Sequence, residues 1–238
     1  MSHPERIVPD TELPGIVAAH LKRYAFARPL CAGKRVLDAA CGVGYGSAYL
    51  GEQAATVLGV DVSEEAVAYA RQRYGSPSVA FELGDVTALA LPDASFDVAC
   101  SFETIEHVDD PARALAELAR VLVPGGTLIV STPHVPVTSR TPDNPFHKVE
   151  LSRADLEALL RDAYAEVEVF GQRRLQSGAH RLAQRLDVLG LRRHVGLLRR
   201  GSKLIGTAAV EEMTLDDIVI AQDGIERASE IVAVCRRA

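Results

Sequence analysis

The sequence contains no long hydrophobic run, no closely spaced pair of cysteines and no excess of positive charge. No apolar stretch reaches 18 residues, which argues against a transmembrane helix. A formal net charge of −6 argues against a general nucleic-acid binder, which needs a cationic face to meet phosphates. The four cysteines form no Cys-x-x-Cys pair and predict neither a zinc ribbon nor a disulfide framework. Without a hydrophobic signal segment, we expect a cytoplasmic location.

Length and composition favour one packed domain. The 238 residues suit one generous domain or a domain with an inserted subdomain, and 47% of them are hydrophobic. No internal repeat is visible. We therefore expect a single domain over residues 1–238, with an N-terminal helical cap at residues 1–30.

Short apolar runs alternate with segments of helical period from about residue 35 onward. The runs are apolar almost throughout, as in parallel strands that are covered on both faces. Three helices carry N-cap residues at Ser63, Asp110 and Ser152. This alternation predicts a doubly wound α/β sheet. The predicted strands span residues 35–41, 56–61, 79–85, 96–103 and 126–133.

Two segments interrupt the alternation. Residues 133–147 hold four of the twelve prolines and follow a strand, so they should lie at the carboxyl edge of the sheet, where ligands bind. Residues 172–203 hold nine Lys and Arg but one acidic residue. We interpret residues 172–215 as a basic helical insertion before the final strand, serving as a lid or in a homodimer. The alternative is a surface for an anionic ligand or a membrane.

A glycine-rich loop follows the first predicted strand in VLDAACGVGYGS, residues 36–47. The strand ends at Asp38, and Gly42, Gly44 and Gly46 come before a predicted helix. Glycines let the chain turn sharply and let a ligand approach the bare backbone. The pattern fits neither the dinucleotide-binding GxGxxG motif nor a P-loop, and alone it is equally compatible with an ordinary tight turn.

Two further acidic residues close the next two predicted strands. Asp61 can accept hydrogen bonds from a ribose diol, and Asp85 can accept one from the amine of an adenine. Each could instead cap a helix. Together with Asp38 and the glycines, however, they indicate a nucleoside pocket that suits a cationic ligand and lacks a pyrophosphate cradle.

Four motifs in order resemble those of class I S-adenosylmethionine-dependent methyltransferases: VLDAACGVGYGS, GVDVS, GDVTALALPDASFDVACSFETIEHVDD and LVPGGTLIVSTP. The resemblance covers about residues 20–172 and the strand 230–235. It implies a Rossmann-like seven-stranded sheet with an antiparallel last strand, and S-adenosyl-L-methionine as cofactor. It also implies donor-binding roles for Asp38, Ala40, Gly42 and Gly44 (methionine portion), Asp61 (ribose), Val62, Asp85 and Val86 (adenine), and Phe102 with Glu103 (beside the sulfonium).

The segment NPFHKVELSRADLEALL resembles a subgroup with an Asn-Pro-aromatic-His loop, many of whose members act in sugar or glycosylated-metabolite biosynthesis. By the same resemblance, His20 and Tyr24 of the N-terminal helix approach the donor. Val43 departs from the subgroup, where an acidic residue is frequent.

An alcohol acceptor must lose its proton as the new bond forms, so a general base is expected. The candidates are Glu103, His107 and His147, with His147 first because the Asn144-Pro145 turn should fix its direction. His107 could instead bond to backbone. Mg²⁺ is possible, although no fixed-spacing motif supports it; its candidate ligands are Glu103, Glu106, His107, His147 and Glu150.

Three functions follow as competing hypotheses. The leading one is an O-methyltransferase acting on a hydroxyl of a sugar, oligosaccharide or glycosylated metabolite. The alternative enzyme methylates a polyketide, quinone or lipid-like acceptor. The third is a methyltransferase-like binding module without activity.

Overall fold

A computed structural model describes residues 7–175 and 213–238. The helices are α1 (Pro14–Cys31), α2 (Tyr45–Gly51), α3 (Glu64–Tyr74), α4 (Pro111–Val121) and α5 (Arg153–Ala163). The strands are β1 (Arg35–Ala39), β2 (Thr56–Asp61), β3 (Val79–Leu83), β4 (Phe96–Phe102), β5 (Leu122–Pro133), β6 (Glu166–Arg174), β7 (Ile218–Ala221) and β8 (Glu230–Arg236).

The strands of the described residues form one sheet in the order β3-β2-β1-β4-β5-β8-β6-β7. Strands β1 to β5 pair in parallel, whereas β8 runs antiparallel to both β5 and β6. The predicted doubly wound α/β fold with an antiparallel last strand is therefore confirmed. The four-residue strand β7 pairs with the edge of β6 and adds an eighth strand to the seven expected.

Chain order reverses between β1 and β4, which lie side by side although β2 and β3 intervene in sequence. In open α/β sheets, such a switch point leaves a crevice at the carboxyl ends of the strands. The loops after β1, β2 and β4 all open there, so the topology brings the glycine loop and the ETIEHV segment to one edge.

Helix starts follow the predicted caps. The side chains of Ser63, Asp110 and Ser152 each accept a hydrogen bond from a backbone N–H in the first turn of α3, α4 and α5. Apolar side chains cover both faces of the sheet, with Leu115 and Leu118 of α4 on one side and Ala27 of α1 in the other cluster. The central strands are thus buried on both faces, which explains their near-continuous hydrophobicity.

The predicted insertion differs from the structure at its start. Gln172–Arg174 continue β6 and pair with β7, so the first three residues of the predicted insertion belong to this strand. Residues 176–212, which hold most of the basic segment, lie outside the described residues. The N-terminal cap corresponds to α1, which begins at Pro14. None of the described helices has the length and hydrophobicity needed to cross a membrane.

Candidate functional site

The glycine loop between β1 and α2 has two glycines with different tasks. Gly42 and Gly44 both adopt positive φ, +56° and +86°. A Cβ on Gly44 would lie 2.6 Å from the Phe81 ring and 2.7 Å from Ala70, so this glycine allows close packing. A Cβ on Gly42 would meet no atom of the described residues within 4 Å. Gly42 therefore presents bare backbone to an open space.

Asp61 fixes this loop from the carboxyl end of β2. Its Oδ2 accepts a hydrogen bond from the Gly42 N–H at 2.8 Å, and its Oδ1 accepts one from the Ser63 N–H at 3.0 Å. Asp61 thus joins the glycine loop to α3 and still borders the open space.

The open space is a cavity of about 580 Å³ at the carboxyl ends of β1, β2 and β4. Val62 stands in its wall with 73% of its surface exposed, which is unusual for valine and suits contact with a flat apolar group. Asp85 is held by Thr87, whose N–H and Oγ1 donate to Oδ1 at 2.8 and 2.7 Å. The predicted site residues that line the cavity are His20, Tyr24, Ala40, Gly42, Asp61, Val62, Asp85, Val86, Phe102, Glu103 and His107.

Asp38 lies behind the cavity wall, and only 1% of its surface is exposed. Its carboxylate accepts hydrogen bonds from the Ser47 hydroxyl at 2.6 Å and from the Tyr24 hydroxyl at 3.3 Å. Burial raises the pKa of Asp38 to about 7. Asp38 and Gly44, which are predicted to hold the methionine portion of the donor, are not among the residues that line this cavity.

Helix α1 supplies one wall of the cavity. The ring of Tyr24 packs edge-on against Phe102, with 4.9 Å between ring centroids. His20 lies one turn earlier on α1, and burial together with the charge of Arg23 lowers the pKa of His20 well below its usual value. His20 is therefore neutral near pH 7. The two α1 side chains that line the cavity, His20 and Tyr24, thus bring no charge to it.

Glu103 closes β4 at the far end of the cavity. Its φ is +49°, and its backbone N–H donates to the Ser131 carbonyl oxygen at 3.1 Å. The Ser131 hydroxyl donates in turn to Glu103 Oε1 at 2.6 Å. These contacts hold the carboxylate in one position beside Phe102, in the wall of the cavity.

The two candidate histidines occupy different layers. His107 lines the cavity, and its Nδ1 lies 3.1 Å from the Phe146 carbonyl oxygen. His147 packs edge-on behind it, with 4.9 Å between ring centroids, and does not line the cavity. The Asn144 turn does orient His147, because Asn144 Oδ1 accepts the Phe146 N–H and Asn144 Nδ2 lies 3.0 Å from His147 Nε2. It orients the ring towards His107, however, so that His107 faces the cavity and His147 does not.

Glu106 is a buried acid that the sequence suggests only as a possible Mg²⁺ ligand. It is 1% exposed, and Thr132 Oγ1 donates to its Oε2 at 3.0 Å. Burial and the neighbouring charge of Glu103 raise the pKa of Glu106 well above its usual range. The ETIEHV segment alone does not reveal this burial, because the loop after β5 covers Glu106 only in the fold.

Residues 37–130 match a sequence family described as a methyltransferase domain. A protein of Mycolicibacterium smegmatis named "probable S-adenosylmethionine-dependent methyltransferase" is 47% identical over 141 residues, covering 58% of this chain and 54% of that protein. A protein of the same name from Mycobacterium tuberculosis is 41% identical over 172 residues, covering 70% and 62%. Residues 37–130 thus match a methyltransferase domain, and both of these relatives are named as S-adenosylmethionine-dependent methyltransferases. The chain spans between half and two thirds of the length of these relatives.

The chain is also similar to a solved structure and to more distant sequence relatives. An S-adenosylmethionine-dependent methyltransferase from Mesorhizobium loti superposes with a TM-score of 0.59 at 21% identity, covering 94% of this chain and all of that one. A ubiquinone biosynthesis O-methyltransferase of Methylococcus capsulatus is 34% identical over 52% of this chain and 54% of its own length. A demethylmenaquinone methyltransferase of Clavibacter sepedonicus is 37% identical, covering 56% of each.

Proposed function

We propose that this protein transfers a methyl group from S-adenosyl-L-methionine to a hydroxyl of a small-molecule acceptor. The observation that carries the proposal is the bare backbone of Gly42, held beside Asp61 in a cavity at the switch point of the sheet. The volume of about 580 Å³ lies within the usual range of small-molecule sites. When bound, the donor supplies an electrophilic methyl group on a sulfonium.

The residues of the cavity suit such a donor part by part. Asp61 would accept the ribose hydroxyls, and the exposed Val62 would cover one face of the adenine. Asp85 and the backbone of Val86 would bind the adenine edge. The acidic residues also suit the positive charge of the donor, whereas a phosphate-bearing ligand would be repelled.

The acceptor would bind where Glu103 and His107 meet the cavity. Methyl transfer needs the acceptor oxygen in line with the bond from sulfur to the methyl group. The side chains that hold the two reactants in this arrangement therefore contribute most to the rate. The hydroxyl proton must also leave. The catalytic candidates are Glu103 and His107, which line the cavity, and His147, which packs behind His107. We assign His107 the direct contact and His147 the positioning of its ring, since their rings pack edge-on.

The names of the relatives favour a quinone-like acceptor over a saccharide. Two of the relatives are named for ubiquinone and demethylmenaquinone methylation. We therefore propose an aromatic or quinone-type hydroxyl as the acceptor. The saccharide acceptor, with its place in carbohydrate biosynthesis, rests on the resemblance of the Asn-Pro-aromatic-His loop and of the N-terminal helix to one subgroup of methyltransferases. Mg²⁺, a homodimer and a cytoplasmic location remain predictions.

Incubating the protein with methyl-labelled donor and separate acceptor pools tests this assignment. We expect label in quinone-precursor phenols or polyketide aglycones. Label in oligosaccharides instead would overturn the acceptor class and support the saccharide hypothesis. Donor binding without transfer to any pool would support a binding module without activity.

Alanine at Gly42 should weaken donor binding by at least about tenfold, because its Cβ would enter the space where the backbone meets the donor. Gly125 is the matched control: it also has positive φ, +72°, and its added Cβ would likewise meet no described atom within 4 Å, but it lies at the opposite end of the sheet. Both variants should lose about 1–2 kcal/mol of unfolding free energy through backbone strain. Calorimetry should show lost donor affinity in Gly42→Ala alone; equal affinity in both would remove Gly42 from the donor site.

The variant Asp61→Asn should weaken the binding of S-adenosylmethionine by about 1.5–3 kcal/mol, because it removes the charged acceptor of the hydrogen bonds from the ribose hydroxyls. Asp97→Asn is the control, because Asp97 pairs with Arg35 at the amino ends of β4 and β1. Isothermal titration of both folded variants measures the difference. Unchanged affinity in Asp61→Asn would mean that the ribose binds elsewhere.

A further inference from the structure

Three potential metal ligands converge beside the acceptor end of the cavity. One carboxylate oxygen of Glu106 and one ring nitrogen each of His107 and His147 lie within 4.8 Å of one another. Backbone hydrogen bonds join the two loops that carry these ligands. The N–H groups of Lys148 and Val149 donate to the Glu106 carbonyl oxygen at 2.7 and 3.3 Å. The cluster therefore belongs to a well-defined part of the fold.

Both histidines are held in the tautomer that metal ligands use. The Nδ1 of His107 faces the Phe146 carbonyl oxygen at 3.1 Å, and the Nδ1 of His147 faces Glu150 Oε1 at 2.6 Å. Neither a carbonyl nor an ionised carboxylate oxygen can donate, so each Nδ1 carries a proton, and in the neutral ring Nε2 then carries the lone pair. Bonding Nδ1 to a carboxylate or a backbone carbonyl is the usual support of a metal-binding histidine.

Glu106 provides a second, independent observation. Its Oε1 is buried and has no hydrogen-bond partner among residues 7–175 and 213–238. An unsatisfied carboxylate oxygen is costly in the interior unless a cation or a proton meets it. The charge of Glu103 acts against ionisation of Glu106, and the charge of the buried Arg23 favours it without contacting Oε1. A bound cation would satisfy this oxygen directly.

We propose that Glu106, His107 and His147 bind one divalent transition-metal ion of the Zn²⁺ or Mn²⁺ class. Two imidazoles and one carboxylate favour such ions over Mg²⁺, which prefers oxygen ligands and near-ideal octahedral geometry. Three protein ligands leave coordination positions for water or substrate, as in catalytic rather than structural sites. Bonds of about 2.1 Å require the ligand atoms to approach to about 3.4 Å, so His147 Nε2 would exchange its contact with Asn144 for the ion.

The role of the ion rests on the proposed function, but its binding does not. A hydroxyl bound to the ion has a lowered pKa and loses its proton to solvent. The resulting oxygen attacks the methyl group, the new C–O bond forms, and the C–S bond breaks with its electron pair left on sulfur. The products are a methyl ether and a neutral thioether. The open positions also favour acceptors with two neighbouring oxygens, such as catechol-type phenols.

The test uses the full-length, untagged protein, because a histidine tag would bind the same ions. Co²⁺ should produce a visible d–d absorption band that saturates at one ion per chain and that Zn²⁺ abolishes by competition. His147→Ala and Glu106→Gln should lose the band. Glu150→Gln should weaken binding by roughly 10–100-fold, since Glu150 only supports His147. Mg²⁺ in tenfold excess should leave the band unchanged.

His134→Ala is the matched control, because His134 Nδ1 also lies 3.1 Å from a backbone carbonyl, that of Ala228, but His134 stands outside the cluster. Its band should equal that of the wild type. Absence of a band in the wild type, or a band that persists in His147→Ala and Glu106→Gln, would overturn the metal site. Calorimetry without metal measures donor binding separately. Normal donor binding in a protein that gives no band would overturn the metal site alone, whereas absence of donor binding would overturn the proposed function.

Discussion

Replacing His107 by alanine should lower kcat by about 10²–10⁴-fold while changing donor affinity by less than about threefold. His107 lines the cavity at the acceptor end, and its ring is fixed by Phe146 and His147. Whether it takes the hydroxyl proton or holds an ion that lowers the pKa of the hydroxyl, its loss affects the transition state more than the bound donor. Single-turnover transfer and donor titration measure the two effects separately.

His134→Ala again serves as the control and should keep normal turnover, since its ring bonds to Ala228 outside the cavity. Near-normal kcat in His107→Ala would remove His107 from the reaction and transfer the role to Glu103. Normal rates in variants of Glu103, His107 and His147 alike would indicate an acceptor that needs no deprotonation, and the hydroxyl assignment would be wrong.

Replacing Asp38 by asparagine should make the protein more stable at pH 8 and less sensitive to pH between 4 and 7. Burial raises the pKa of Asp38 to about 7, against about 3.9 for an unfolded chain. The folded state thus keeps a proton that the unfolded chain releases, so the free energy of unfolding falls as the pH rises through this range and then levels off. A difference of about three pKa units corresponds to about 4 kcal/mol.

Denaturant unfolding of wild type and Asp38→Asn from pH 4 to 8 measures the difference. Asp97→Asn should show the opposite dependence, because the Arg35 guanidinium lowers the pKa of Asp97 to about 2. Ionised Asp97 stabilises the fold above about pH 4, and this contribution is lost as the pH falls towards 2. A difference between wild type and Asp38→Asn that does not vary with pH would contradict the burial argument.

Local signals explain what the sequence predicts well. The apolar runs of β1 to β5, the caps at Ser63, Asp110 and Ser152, and Asp61 at the end of β2 all depend on neighbours close in the chain. Strand β6 is absent from the predicted strands, although EVEVF alternates charged and apolar residues as a half-exposed strand does. The four residues of β7 carry too short a pattern to predict a strand.

The sequence does not predict which of the candidate side chains are buried and which line the cavity. Asp38 becomes buried because Tyr24 and Ser47 close over it from α1 and α2. The layering of His107 and His147 depends on two loops about forty residues apart that meet only in the fold. Residue type and spacing identify these side chains as candidates, whereas tertiary contacts decide which of them faces a ligand.

The place of β8 has a consequence for synthesis on the ribosome. Glu230–Arg236 follows every other strand of the sheet in chain order, yet it pairs with both β5 and β6 in the sheet interior. Until these residues emerge, the nascent chain holds two unpaired strand edges rich in buried hydrophobic residues. Such edges pair readily with other chains, so a ribosome stalled before residue 230 would release an aggregation-prone product.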